Sequence, residues 1–504
     1  MRRLALFALL LTVSCTTTQP RTARFKILQI NDVYKIEGLE GGNSGGLARV
    51  RTLRRHLEWD GTPVIVLHGG DLLYPSVMSK YLEAKPMIDI MNRLDGDPAK
   101  DDPNLVVGLG NHELDNSDPR ILLERLKESQ FFWVATNTRW CNPQCDQRFP
   151  STTDIRFFDD LGGTKVAVFG ILYPLQKSYV RSTDVIEAAA GAVNVARGQG
   201  AKVVIAVTHQ DMAADLDMAK RVLGIDLVIG GHDHLYMLGQ VDRTWISKAD
   251  ADAKSVVVYD VTVDGNGVHT TPLRVVLDTH IPRDKDVDAR VQYWLGELGT
   301  KLGGNETIAT TRNLLEGVEP VIRGRESALG NLLTDAARQQ MGTDVALLNG
   351  GSIRINDNIP PGPITKYDME GIFYFRNSLV AFNVTGQQLL DLLRQGVSRA
   401  DAGDGRFLQV SGLSFSYRRE GDAYVVEEVN VGGKPLDVNA TYSVAALDYM
   451  YEHGEEDGFT LFAASRRPPK INTGREADFR TTVETYLRQK GTIDIDIEGR
   501  IVRR

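Results

Sequence analysis

Leu105-Val106-Val107-Gly108-Leu109-Gly110-Asn111-His112-Glu113 is an apolar run that ends abruptly in an amide, an imidazole and a carboxylate. A short run that is apolar on both faces reads as a strand in a sheet covered by helices. In open α/β sheets, ligands collect beyond the carboxyl ends of such strands. The same punctuation recurs along the first half of the chain. Phe25 to Ile30 leads into Asn31-Asp32-Val33-Tyr34, and Val64 to Leu67 leads toward Gly70-Asp71. Val203 to Val207 leads into Thr208-His209, and Asp226 to Ile229 into Gly230-Gly231-His232-Asp233-His234, with Lys165 to Leu172 a further apolar run. Ala48 to Leu57, Pro86 to Leu94, Pro119 to Glu128 and Asp215 to Leu223 carry apolar residues at three- and four-residue spacing between these runs. The pattern predicts an α/β domain whose chemistry gathers at one end of its strands.

A single histidine after a strand is more often a satisfied structural residue than a ligand. Five polar clusters at five successive strand ends are a different matter. Carboxylate, amide and imidazole groups converging there form the mixed oxygen and nitrogen donor set that suits two divalent cations sharing a bridging carboxylate. The adjoining glycines allow the tight turns that aim such donors.

The chain has 504 residues, 42% of them apolar and 25% charged, enough for two domains. The segment Asp284 to Leu302 reads as a helix with Val287, Val291, Trp294, Leu295 and Leu298 on one stripe, and is taken as the connector. Beyond about Glu306 the pattern changes to mixed helices (Ala328 to Met341, Gly386 to Val397, Asp478 to Lys490) and alternating strands such as Phe407 to Tyr417, an α+β domain. The net charge of -8 argues against a polymeric nucleic acid as partner, since no basic excess exists to displace counterions. After the first residues no apolar run reaches the roughly 18 to 20 needed to span a bilayer. Arg2 and Arg3 before the apolar run Leu4 to Val13, then Ser14-Cys15, have the layout of an export signal. The Ser-Cys step resembles a bacterial lipoprotein cleavage site, with Thr12 where leucine is usual. Cys141 and Cys145 are the other cysteines, and a short disulfide between them suits an oxidising compartment.

At the five clusters the chain resembles the calcineurin-like metallophosphoesterases, and more closely the bacterial 5′-nucleotidase and UDP-sugar hydrolase family. The resemblance implies a four-layer α/β-β/α sandwich over residues 24–280, a connector over 281–304 and a 5′-nucleotidase-type α+β domain over 305–504, after a signal segment at 1–20. It implies that Asp71 bridges two divalent metal ions, drawn from Mn, Zn, Co and Fe, with Asp32 and His234 on the first and Asn111, His209 and His232 on the second. His112 with Asp115 behind it matches the family's catalytic pair. The family's Asp-x-His motif is broken here by Tyr34. Three roles are open to it: phenolate ligand, hydrogen-bond partner of a metal-bound water, or packing. Gly70-Asp71-Leu72-Leu73-Tyr74 also resembles the Gly-Asp-x-x-Tyr motif of purple acid phosphatases, which leaves Tyr74 either a ligand or a loop residue beside Pro75.

In the second half, Arg325-Glu326, Gly330-Asn331 and Asn349-Gly350-Gly351-Ser352-Ile353-Arg354 look like the family's nucleotide-binding segments. Arg325, Asn349 and Arg354 are expected on the phosphate or ribose side, with Arg323 able to substitute for Arg325. Phe375 and Asn377 resemble the family's Pro-Phe-Gly-Asn segment, whose phenylalanine stacks on a base. A partner aromatic should precede Asp457-Gly458-Phe459. Tyr449 and Tyr451 both qualify, and Tyr451 is assigned to the role. Gly412 follows a segment that borders the pocket in the family. The resulting expectation is an exported, periplasmic or outer-membrane-anchored hydrolase of nucleoside 5′-monophosphates, with nucleotide-sugar pyrophosphates or 2′,3′-cyclic nucleotides as further substrates. Membrane contact would come only through an N-terminal lipid. A nucleotide receptor with an impaired metal site, or a hydrolase of a non-nucleotide ester, are the alternatives.

Overall fold

The computed structural model describes residues 22–475 and 478–504; the expected export signal and Cys15 lie outside them. Two large sheets build the first half, in addition to a small four-stranded sheet of Thr138–Cys141, Cys145–Arg148, Gln176–Lys177 and Val180–Ser182. In one, the parallel strands Ala23–Ile30, Val64–His68, Leu105–Gly108 and Phe132–Val134 lie side by side, and Ser255–Asp264 pairs antiparallel with the first. In the other, Thr164–Leu172, Val203–His209, Leu227–Gly230 and Thr244–Lys248 run parallel, edged by antiparallel Ile155–Leu161 and Met237–Val241. The continuous apolar runs follow from this arrangement, because each strand is covered on both faces. Phe25, Ile27, Ile65, Leu67 and Val106 of one sheet meet Val168, Val203, Ile205, Val207 and Ile229 of the other in a core between the sheets. Helices cover the outer faces, with Leu47–Leu57 and Lys85–Met91 on the first sheet and Val185–Gly198 and Met212–Arg221 on the second. This is the four-layer α/β-β/α sandwich.

The connector helix Lys285–Lys301 starts under an Asp284 cap and buries Val287, Val291 and Leu298 against the first domain. Trp294 donates to Asp89 at 2.6 Å and Arg290 pairs with it at 2.5 Å. The second half has two four-stranded sheets and one of three strands, wrapped around the helices Ala328–Met341, Gly386–Val397 and Phe479–Lys490. The strand expected over Phe407 to Tyr417 is divided. Gly412 has φ +78° and separates Leu408–Ser411 from Leu413–Glu420, which belong to different sheets. The apolar positions change phase at the break, from Leu408 and Val410 before it to Leu413, Phe415 and Tyr417 after it, and that shift with the glycine is the sequence mark of the division. Cys141 and Cys145 are disulfide-bonded, and no helix among the described residues is long and apolar enough to cross a membrane.

The two halves touch through charged pairs. Lys35 pairs with Asp357 at 2.9 Å, Lys80 with Glu370 at 3.3 Å, and Tyr367 donates to Glu37.

Candidate metal centre and substrate cleft

Parallel strands put the loops that follow them at one end of the domain, and the first sheet delivers Asp32, Asp71, Asn111 and His112 there. The second delivers His209, His232 and His234. The approach is close. A Cβ on Gly70 would lie 2.7 Å from His209 Nδ1, and one on Gly110 would lie 2.1 Å from Asp71 Oδ1. Four of the donor residues, Asp32, Asp71, His232 and His234, take left-handed backbone conformations with φ between 52° and 84°. Side chains other than glycine adopt this region at a cost, typically where the surroundings impose it.

The donor atoms form two linked sets. Tyr34 Oη is 2.9 Å from His234 Nε2, 3.1 Å from Asp71 Oδ2 and 3.4 Å from Asp32 Oδ1, and His234 Nε2 is 3.5 Å from Asp32 Oδ1. Asp32, Asp71 and His234 each offer one ligand atom within 4.8 Å of the others. On the other side, His209 Nε2 is 3.2 Å from Asp71 Oδ2 and 3.0 Å from Asn111 Oδ1, and the His232 ring lies 5.1 Å from that of His209. A cation with bonds of about 2.1 Å has ligand-to-ligand edges of about 3.0 to 3.4 Å. The donor spacing at Asp32, Asp71 and His234 therefore fits a divalent cation, and Asp71 Oδ2 also faces His209 Nε2 on the other side. His112 stands at the rim, its Nε2 3.9 Å from Asp71 Oδ2 and its Nδ1 2.7 Å from Asp115 Oδ2. Tyr74 packs in the first domain's core with its hydroxyl against Asn116.

The charges reflect this crowding. Burial opposes ionisation of Asp71, yet His209 and His112 hold its carboxyl well below the usual range. Burial would lower His209, but the adjacent Asp71 lifts it to about 9. His232, half-buried and next to His209, falls to about 4 because desolvation and the His209 charge both oppose its protonation. Burial and the neighbouring Asp71 and Asp32 push the Tyr34 hydroxyl well above its ordinary value.

Further residues hold this set in place. Glu113 accepts N–H groups from Asp71, Leu72, Leu73 and Gly110, which fixes the Asp71 turn. Lys248, with no exposed surface, donates to Gln210 O and Gly231 O and pairs with Asp215 and Asp233, tying the two histidine loops together. Asp252 accepts from the backbone N–H of Tyr34 and of Lys35, each at 2.8 Å. Glu319, from the second domain, reaches His234 Nδ1 at 3.0 Å. Sequence reasoning quoted Glu113 without a role and missed Lys248, Asp252 and Glu319. The burial of a lysine at the end of Thr244–Lys248 would have been the only signal for Lys248, and it is not visible in the sequence.

The substrate candidates divide. A cleft between the domains is lined by Tyr34, His234, Glu319, Arg354 and Tyr374. Arg323 pairs with Glu319, and an Arg354 nitrogen lies 3.7 Å from the same carboxylate. Arg325 instead points to Glu316 at 2.8 Å with its side chain 58% exposed. On a helical turn, residues two apart face different sides, so Arg323 and not Arg325 lies against Glu319 of the cleft. Asn349 is buried, and its Oδ1 has no hydrogen-bond partner among the described residues. The Arg354 guanidinium lies over the Phe375 ring at 5.7 Å, and Asn377 borders a neighbouring hollow with Phe375. Tyr451 is a core residue, packed on Phe382 and Phe462 with its hydroxyl on Pro468 O. Tyr449 is exposed, stacked on His453, with the Asp457 carboxylate near. Gly412 is at the far end of its strand from Leu408, which pairs with Asn349, and its Cβ position is filled by Asp344 O.

Residues 25–236 match the calcineurin-like phosphoesterase family, and residues 307–464 match the 5′-nucleotidase C-terminal domain. The chain is similar to a trifunctional nucleotide phosphoesterase protein of Bacillus subtilis, 28% identical over 369 residues, a stretch that is 68% of this chain and 25% of that protein. It is 25% identical over 565 residues to a 5′-nucleotidase of Diplobatis ommata, covering 98% of this chain and 92% of that one. Among solved structures, a 5′-nucleotidase precursor from Thermus thermophilus superposes with a TM-score of 0.75 at 26% identity, over 95% of this chain and 99% of that one. The sulfate thiohydrolase SoxB of Thermus thermophilus shares the fold at a TM-score of 0.69 and 19% identity, over 95% of this chain and 97% of that one.

Proposed function

We propose that this chain, a phosphoester hydrolase built from a calcineurin-like phosphoesterase domain and a 5′-nucleotidase C-terminal domain, releases phosphate from nucleoside 5′-monophosphates. The observation that carries the reading is the position of Asp71 Oδ2, 3.2 Å from His209 Nε2 and 3.1 Å from Tyr34 Oη. One carboxylate oxygen facing two donor sets is what a bridged cation pair requires. Asp32, Tyr34 and His234 would hold the first cation, and Asn111, His209 and His232 the second. Tyr74, set against Asn116, stays out of the ligand set. When bound, the pair supplies Lewis acidity toward a phosphoryl group and toward an attacking water.

The remaining roles belong to the chain's own groups. Asp115 accepts at His112 Nδ1 and leaves Nε2 facing the reacting centre, where it stabilises charge developing on the phosphoryl group or the leaving oxygen. Arg354 and Arg323 meet the phosphate or ribose as charged forks. Asn349 presents its unpaired amide oxygen, and Phe375 with Tyr449 offers exposed aromatic faces for a base. We place the protein outside the cytoplasm, a reading supported by the Leu4 to Val13 run and by the Cys141–Cys145 disulfide.

Phosphate release from a panel of 5′-mononucleotides, UDP-glucose and an aryl phosphate, with Mn, Zn, Co and chelated protein, tests the reading. Metal-dependent turnover that favours mononucleotides is expected. Nucleotide binding without turnover under any metal would overturn it in favour of a receptor.

A further inference from the structure

We propose that Glu319, a residue of the C-terminal domain, is the positioning residue for His234, so that the first cation site is complete only while the two domains are docked as they are here. The inference rests on His234 being a cation ligand, as set out above. Glu319 opens the short helix Glu319–Ile322, its backbone N–H is held by Asn356 Oδ1 at 3.0 Å, and its side chain is 12% exposed.

Its two oxygens face different partners. Oε2 lies 3.0 Å from His234 Nδ1, while His234 Nε2 faces Tyr34 Oη and Asp32 Oδ1. A carboxylate on Nδ1–H fixes the imidazole's tautomer and rotation and raises the basicity of Nε2, the atom turned toward the cation position. Oε1 pairs with Arg323 and lies 3.7 Å from Arg354. One side chain therefore joins a ligand of the first domain to both cleft arginines of the second. Separating the domains would take the carboxylate away from His234 and leave its ring free to turn. The second set, Asn111, His209 and His232, comes from the first domain alone. Loss of docking should thus weaken one cation more than the other, and this asymmetry is the signature of the device.

The test uses the full chain with Mn²⁺ alone, without substrate, so that its outcome is independent of nucleotide hydrolysis. Two stepwise dissociation constants are measured by chelator competition for the wild type, Glu319→Ala and Glu319→Gln, and His234→Ala identifies the constant that belongs to the first site. Glu319→Ala should weaken that constant about 10- to 100-fold. Glu319→Gln, which keeps an acceptor oxygen without its charge, should fall between alanine and wild type. The other constant should change less than the first in both, since Glu319 touches only His234 and the two sites are linked only through the shared Asp71. An unchanged first constant, or both constants weakening equally, overturns the proposal. A His234→Ala variant that alters neither constant overturns instead the ligand assignment beneath it.

Discussion

Asp32, Asp71 and His209 have no exposed surface and take their places from strand ends and tight turns, whereas Phe375 and Tyr449 are 51% and 41% exposed and stand on a loop and a short helix of the other domain. The first group is positioned by backbone. Glu113, Lys248 and Asp252 each bind main-chain groups of the donor loops, so moving a ligand means moving a strand end. The second group is positioned by which domain faces meet. The cation-binding half should therefore tolerate almost nothing, while the substrate half should respond in graded steps.

The largest effect is expected at the shared oxygen. Asp71→Ala should abolish phosphate release and bound metal together, as read by elemental analysis of the purified protein. Metal retained at wild-type content would break the bridging assignment. His112→Ala should keep its metal and lose about 10² to 10⁴ in turnover, so a parallel loss of metal would move His112 into the ligand set. In the cleft, Arg323→Ala and Arg354→Ala should each raise KM by roughly 10- to 100-fold, the worth of a charged hydrogen bond, while Arg325→Ala should change it less than about twofold. The reverse ranking would restore Arg325 to the phosphate. Smaller still, Phe375→Ala and Tyr449→Ala should raise KM for a mononucleotide by about 3- to 10-fold and leave an aryl phosphate alone. Tyr451→Ala should instead destabilise the fold by about 3 kcal/mol or more, a core effect visible in thermal unfolding.

Chelated protein should show the mildest signature, in its pH profile. His209 and His234 are lifted to about 9, in each case against burial, by Asp71 and by Glu319 respectively. Their contribution to stability is complete below the unfolded value of about 6.5 and is lost as pH rises through about 9. Asp71 and Glu319 are depressed, so the same pairs also weaken on acidification below about pH 4. Melting temperature should be highest near pH 5 to 6 and fall by on the order of 5 °C toward pH 10. Metal-loaded protein should have a flatter alkaline side.

The sequence was most informative where side-chain chemistry follows strand punctuation. Asp32, Asp71, Asn111, His209, His232 and His234 converge because parallel strands end on one side, and that side can be read from the apolar runs. Tyr34 departs from the family's histidine, yet its hydroxyl occupies the same donor cluster. Less was legible where two residues of one type compete within a few positions. Arg323 and Arg325 differ only by the turn of a helix end, and Tyr449 and Tyr451 only by which face of Asp448–His453 meets the core. Gly412 kept a family-like local sequence while standing at the opposite end of its strand from Asn349. Glu319 carries no local signal at all, because its partner is 85 residues away in another domain.

The left-handed turns at Asp32, Asp71, His232 and His234 have a bearing on how the protein matures. At about 1 kcal/mol or more each, they are strain at the donor loops that the rest of the fold must hold. A cation captured by the donors pulls in the same direction as the fold. Loading and maturation then become one process, and a newly folded chain that meets metal late should spend its early life as the form most open to proteolysis.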